Sequence, residues 1–233
     1  VMPKDTSVIN ELYDVDKDEN ITGAYLREDE LGKIKTIFWA FNIVDYTPFV
    51  SAEAKLSDGN EATVTGTWFN HHLSLPTGEE LDAGIASLRS WWDVTDGSFI
   101  NEQTDGEDVC MVGAAIAERE GIRAGDEIEL ASDNADKTLK VVGIFDAGGE
   151  EDDVIYTPLS VAQELAGLSG KIDSIEVSAL TTPDNELAQK AAKDPGSLSV
   201  SQYETWYCTA YVSSICYQIE EVITDSVASA VRQ

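Results

Sequence analysis

A chain of 233 residues with 42% apolar content can bury a core as one domain or two small ones, which excludes a disordered tail. Its 44 acidic against 15 basic side chains leave a formal charge of -29, which repels phosphate backbones and anionic lipid headgroups and excludes nucleic acid as a partner. No segment approaches the roughly 20 apolar residues of a membrane-spanning helix, and the longest stretch without a charge, Thr205 to Ile219, is rich in Ser, Thr and Tyr.

In chain order, Leu31, Ile34, Phe38 and Phe41, with Ile37 and Val44 beside them, predict a helix burying one face. Val50 to Leu56 alternates, Ser57-Asp58-Gly59-Asn60 turns, and Ala62 to Trp68 alternates back, a hairpin pattern. Thr77 and Glu80 have capping-box spacing ahead of Leu81, Ile85, Leu88 and Trp92, which predicts a second helix.

From Val109 the segments shorten. A Val109–Val112 strand leads to a short helix closed by Gly121, and a Gly125-Asp126 turn leads into Ile128 and Leu130. Strands follow at Leu139–Phe145 and Val154–Tyr156, and Pro158 opens another short helix. A strand over Ile172–Ala179, a helix from Pro183-Asp184 and a long aromatic-rich segment complete the chain. The start at Val1-Met2-Pro3, without a signal-peptide pattern, and the helical end read as excision points in a longer protein.

Chemistry-bearing motifs are few. There is no G-x-S-x-G elbow, Walker A loop, strand-linked G-x-G-x-x-G or H-E-x-x-H, so neither an enzyme nor a bound cofactor is expected. His71 and His72 are adjacent and would point to opposite faces of a strand. A shared metal would therefore need a loop and a further ligand such as Glu79 or Glu80, and the expectation is a polar loop without metal. Glu150-Glu151-Asp152-Asp153 lacks the alternation of a calcium loop and reads as a solvated tip, and its charge argues against a phosphate cradle at Gly148-Gly149.

Three cysteines make an odd count. Cys110, between Val109 and Met111, reads as a buried core thiol. Cys208 and Cys216 are too far apart to meet within one helix; a disulfide across a bend, two buried free thiols, and a redox or metal-binding pair all stay open. Trp206, Tyr207, Tyr211 and Tyr217 around them read as packing, with a groove for an apolar substrate or a place at the membrane interface as alternatives.

Three motifs occur in order: Val112-Gly113-Ala114-Ala115-Ile116-Ala117, then Gly121-Ile122-Arg123-Ala124-Gly125-Asp126-Glu127-Ile128, then Val141-Val142-Gly143-Ile144-Phe145. Followed by Gly148 to Tyr156 and the Ile172–Ala179 strand, this set resembles the extracytoplasmic core domain of MacB/FtsX-type ABC transporter permeases. Thr63–Trp68 and Trp92-Asp93-Val94 resemble that family's approach to the same region.

The resemblance implies an α+β fold: a porter-like α/β subdomain from residues 1–92 and 172–233, with a β-rich subdomain of residues 93–171 inserted. It also implies a domain between the first two membrane helices of a permease, on the extracytoplasmic face of a bacterial membrane. There it would couple cytoplasmic ATP hydrolysis mechanically to substrate export, release or transport, as in efflux or lipoprotein release. The implied partners are a second permease subunit, a cytoplasmic ATPase and an extracytoplasmic adaptor or thiol-redox protein, with Val231-Arg232-Gln233 near the bilayer. The cysteine-aromatic segment and the acidity depart from the macrolide-exporting and lipoprotein-releasing members. A membrane-anchored ligand- or metal-binding sensor, and a thiol-redox domain using Cys208 and Cys216, are the alternatives.

Overall fold

The computed structural model describes residues 1–4 and 25–230, so the expected position of Val231-Arg232-Gln233 lies outside the described residues. Strands β1 (Met2–Pro3) and β2 (Leu26–Arg27) precede two 3-10 helices, Glu28–Thr36 and Ala40–Asn42. The α-helix expected over Leu31–Val44 is therefore absent. A 3-10 helix has three residues per turn, so Leu31, Ile34 and Ile37 stack on one buried side, while Phe38 and Phe41 face solvent at 58% and 93% exposure. Val44 belongs instead to β3 (Ile43–Leu56), which with β4 (Glu61–Thr67) forms the expected hairpin, Ala52 opposite Val64.

A second hairpin, β5 (His71–Ser74) and β6 (Glu80–Ala83), replaces the helix expected from Thr77 and the loop expected at the histidines. Gly78, at φ +83°, supplies the left-handed turn, and only α1 (Ile85–Leu88) is helical. The capping-box spacing misleads because Pro76-Thr77-Gly78 makes a turn before any helix can start.

Strand β7 (Asp93–Gly97) comes next, a strand that no alternation in the sequence announces. The segments after it match the expected strands and helices: β8 (Val109–Gly113), α2 (Ala114–Glu120), β9 (Glu127–Ala131), β10 (Asp136–Asp146), β11 (Val154–Pro158) and α3 (Leu159–Ala166), with a 3-10 turn at Glu150–Asp153 ahead of β11. Gly121 closes α2 in the left-handed region, as its position after the apolar run predicts. Then come β12 (Lys171–Ile172), β13 (Ser174–Ala179), α4 (Glu186–Lys193), a 3-10 turn at Pro195–Ser197, α5 (Val200–Tyr207), α6 (Val212–Val222) and β14 (Ser226–Val227).

One eight-stranded sheet runs β13-β3-β4-β11-β8-β10-β7, and β9 pairs with both β10 and β3. The pairings β3-β4-β11-β8-β10-β9 thus return to β3 as a closed ring, with β13 and β7 attached outside it. Strands from 43–67 and from 93–171 share that ring, so hydrogen bonds cross between the two expected segments: β4 pairs in parallel with β11, and Leu56 sits opposite Leu130. Helix α3 packs on β3 and β4 through Gly66, where a Cβ would meet that of Ala162 at 2.5 Å.

The largest apolar core joins ring residues such as Val64, Val112, Val141 and Ile155 to Leu31, Ile175, Ile215 and Ile219 from outside the ring. A second cluster stacks Trp92 on Phe145, and a third packs Trp206 of α5 with Ala188 and Ala191 of α4 and with Tyr211. The mixture of helix and strand bears out the α+β class.

Candidate functional site

The two described ends of the chain meet. Met2 and Pro3 pair antiparallel with Val227 and Ser226, and Lys4 N–H donates to the Asp225 carbonyl at 2.8 Å. Val1 exchanges two hydrogen bonds with Ile175 of β13, so the end ladder is tied directly to the main sheet.

Glu30 locks the other side of this base. Its carboxylate accepts from the Thr224 backbone N–H at 2.9 Å, the Thr224 hydroxyl at 2.8 Å and Lys33 Nζ at 2.9 Å. Burial alone would raise the pKa of this carboxyl, but those three donors outweigh it and hold the group down to about 2. Met2 and Val227 nevertheless point outward, at 62% and 45% exposure, which leaves an apolar spot at the base.

A second polar centre fastens α1 to the sheet. Arg89, just past α1, donates through Nε to Glu151 at 2.9 Å and through both terminal nitrogens to Glu176 on β13. Glu151 also accepts from Trp92 Nε1 at 2.8 Å and from the Tyr156 hydroxyl at 3.1 Å. Burial disfavours the charge on Arg89, yet Glu176 and Glu151 more than offset it and raise its pKa. The acidic run is thus no solvated tip throughout: Glu151 is a hub, and Asp152 caps its turn by accepting from Ala147 and Gly149 N–H. Sequence reasoning missed this centre, since a lone Arg between Leu88 and the Trp91-Trp92 pair carries no spacing signal.

The aromatic segment forms a corner between α5 and α6. Trp206 is fully buried, and its Nε1 donates to Ser213 at 2.9 Å. The Tyr207 carbonyl, an orphan at the end of α5, accepts from Trp39 Nε1, Ser214 Oγ and Gln218 Nε2. Tyr211 is buried, and its hydroxyl accepts from Asn185, the residue that caps α4. These side chains line a packed core, as the packing reading expected.

All three cysteines are free: Cys110 buried, Cys208 exposed just past α5, and Cys216 half-buried on α6. Burial, with Glu220 and Asp184 nearby, pushes the Cys216 thiol up to about 11, which opposes thiolate chemistry there. His71 and His72 point to opposite sides of β5, so they do not share a ligand. His71 stacks on Trp68 at 4.7 Å, and His72 meets carboxylates of the hairpin.

Among the described residues no helix is long and apolar enough to cross a membrane. A groove of about 730 Å³ lies between the first 3-10 helix and the β5–β6 hairpin, with Arg27, Trp68, His71 and Lys171 on its walls.

No curated protein sequence matches the chain. Its fold is similar to the periplasmic region of MacB from Actinobacillus actinomycetemcomitans, at 12% identity and a TM-score of 0.51, over 82% of this chain and 78% of that one. It is also similar to the extracellular domain of the noncanonic ABC-type transporter YknZ from Gram-positive bacteria, at 12% identity and a TM-score of 0.50, over 76% and 84%. The sequence model for the MacB-like periplasmic core domain matches residues 6–194, most of the chain, so the protein belongs to the family of MacB-like periplasmic core domains.

Proposed function

We propose that this is the extracytoplasmic domain of an ABC-type permease, and that it acts as a mechanical element rather than a catalyst. The observation that carries the reading is the match to the MacB-like periplasmic core domain over residues 6–194; the end ladder, in which β1 and β14 run antiparallel and side by side, is compatible with a domain set between two membrane helices. Strands in such a pair lie about 5 Å apart, so two helices continuing from them would begin in contact. The outward Met2 and Val227 suit a position close to the bilayer.

A displacement of those helices would reach the sheet by two short routes. One is Val1 bound to Ile175; the other is Glu30 bound to Thr224. The ring shared by 43–67 and 93–171 favours motion of those segments as one piece. Of the expected grouping of 1–92 with 172–233, β13 pairing with β3 and β1 with β14 support the joining of the two chain ends, whereas the ring carries 43–67 along with 93–171. The partners are a second permease subunit and a cytoplasmic ATPase, and the output is export, release or transport of a substrate outside the membrane.

The test uses the full-length protein reconstituted with its ATPase. A spin label on Cys208, with every other cysteine replaced, is paired with a label on the outer domain of the second permease subunit. Trapping the ATPase with ATP and vanadate should change the distance between them. An unchanged distance distribution would refute the coupling.

A further inference from the structure

The chain has two histidines, and the second sits in surroundings unlike the first. Nδ1 of His72 lies 2.7 Å from an Asp82 oxygen, and its Nε2 lies 2.8 Å from a Glu80 oxygen. Register explains this: Asp82 is directly opposite His72 in the β5–β6 hairpin, and Glu80 is opposite Ser74, two residues further along the same strand. A third carboxylate, Glu102, arrives from the segment between β7 and β8. One ligand atom each from His72, Asp82 and Glu102 lie within 4.8 Å of one another.

That segment is anchored against the hairpin's entry, because Asp105 accepts from the Phe69 backbone N–H at 3.0 Å. Glu102 is therefore held near His72 by a contact that does not involve the cluster. Among the described residues no lysine or arginine forms an ion pair with Glu80, Asp82 or Glu102. Among the described residues the His72 imidazole is the one basic group in ion-pair contact with Glu80 and Asp82.

We propose that His72, Asp82 and Glu102, with Glu80 beside them, form a surface site for one divalent transition-metal ion of the zinc type. The inference stands apart from the permease reading. An imidazole nitrogen among carboxylate oxygens suits a borderline ion such as zinc better than calcium or magnesium, which prefer oxygen alone. Zinc bonds of about 2.0–2.2 Å require neighbouring ligand atoms about 3.3 Å apart. The 2.7 Å His72–Asp82 contact must therefore open slightly and Glu102 must swing inward. Both are rotations of exposed side chains. The ion takes the place of the proton on the coordinating ring nitrogen, which leaves to solvent, so binding weakens as pH falls. Once bound, it ties the hairpin to the segment before β8.

With two histidines the test is direct. Long-range proton–nitrogen spectra of the untagged chain are recorded with one equivalent of zinc, in millimolar magnesium to occupy sites built of carboxylates alone. The His72 ring nitrogens should shift while those of His71, stacked on Trp68, stay in place. Glu102→Gln and His72→Asn should each weaken zinc binding at least tenfold, and His71→Asn should leave it unchanged. Melting temperatures measured without metal establish that the variants are folded. Zinc that leaves His72 unshifted, shifts both rings alike, or binds Glu102→Gln as tightly as the unsubstituted chain overturns the site.

Discussion

Arg89 grips both oxygens of Glu176 across 87 residues of sequence, with Nη1 2.8 Å from Oε1 and Nη2 2.9 Å from Oε2. The guanidinium is largely buried and is shared with Glu151, so removing it takes the counter-charge from two carboxylates, of which Glu151 keeps its bonds from Trp92 and Tyr156. Arg89→Ala is expected to cost about 2–3 kcal/mol, below the range for a fully buried pair because Glu176 is 40% exposed. Urea denaturation checks this through a lower midpoint at an unchanged slope. Arg89→Lys should recover little, because an ammonium cannot reproduce the two-pronged contact.

Glu30 gives the base of the domain an acid-sensitive clasp. Its folded pKa of about 2 lies below the ordinary 4.5, so its ionised form stabilises the fold fully above about pH 4.5, and that contribution fades as pH falls towards 2. The difference corresponds to roughly 3 kcal/mol. In Glu30→Gln, stability at neutral pH should drop and its decline between pH 4.5 and 2 should flatten, measured by denaturation at a series of pH values. A decline as steep as in the unsubstituted protein would move the acid sensitivity elsewhere.

The thiols should react in the order of their exposure. Cys208 should take up an alkylating reagent quickly at neutral pH, Cys216 slowly because its thiol titrates near 11, and Cys110 only on unfolding. Peptide mass mapping over time distinguishes the three, and would also detect a Cys208–Cys216 disulfide, which the account does not predict.

Trp206 is the keystone of the helical corner, fully buried and hydrogen-bonded to Ser213. Trp206→Ala should destabilise the protein by roughly 3–5 kcal/mol. The loss would appear as a lowered melting temperature together with exposure of the Tyr203–Tyr217 neighbourhood to hydrogen exchange.

Much of the fold was legible because strands and short helices from Val109 to Ala179 carry local signals: alternation, a glycine at each left-handed helix end and proline at a helix start. The segment Leu31–Val44 misled because a three-residue period and an α-helical one share the same first steps, and burial of Ile37 instead of Phe38 decides between them only in three dimensions. The Thr77–Glu80 pair misled because its capping spacing fits a hairpin turn equally well. The closure of the ring through β9 and β3 was invisible, since Lys55 and Ala131 meet across 76 residues without any pattern linking them. Glu80 was legible beside the histidines, but Asp82 and Glu102 were not, and the Arg89 hub was hidden because it joins a helix end, a 3-10 turn and a strand that only the tertiary fold brings together.

The central claim, that this domain stands on the outer face of a membrane as part of a permease, is open to one decisive measurement. Intact cells expressing the full-length protein, with every cysteine other than Cys208 replaced, are treated with a membrane-impermeant maleimide. Labelling of Cys208 before lysis is the predicted result. Labelling that appears only after the cells are broken open would contradict the account.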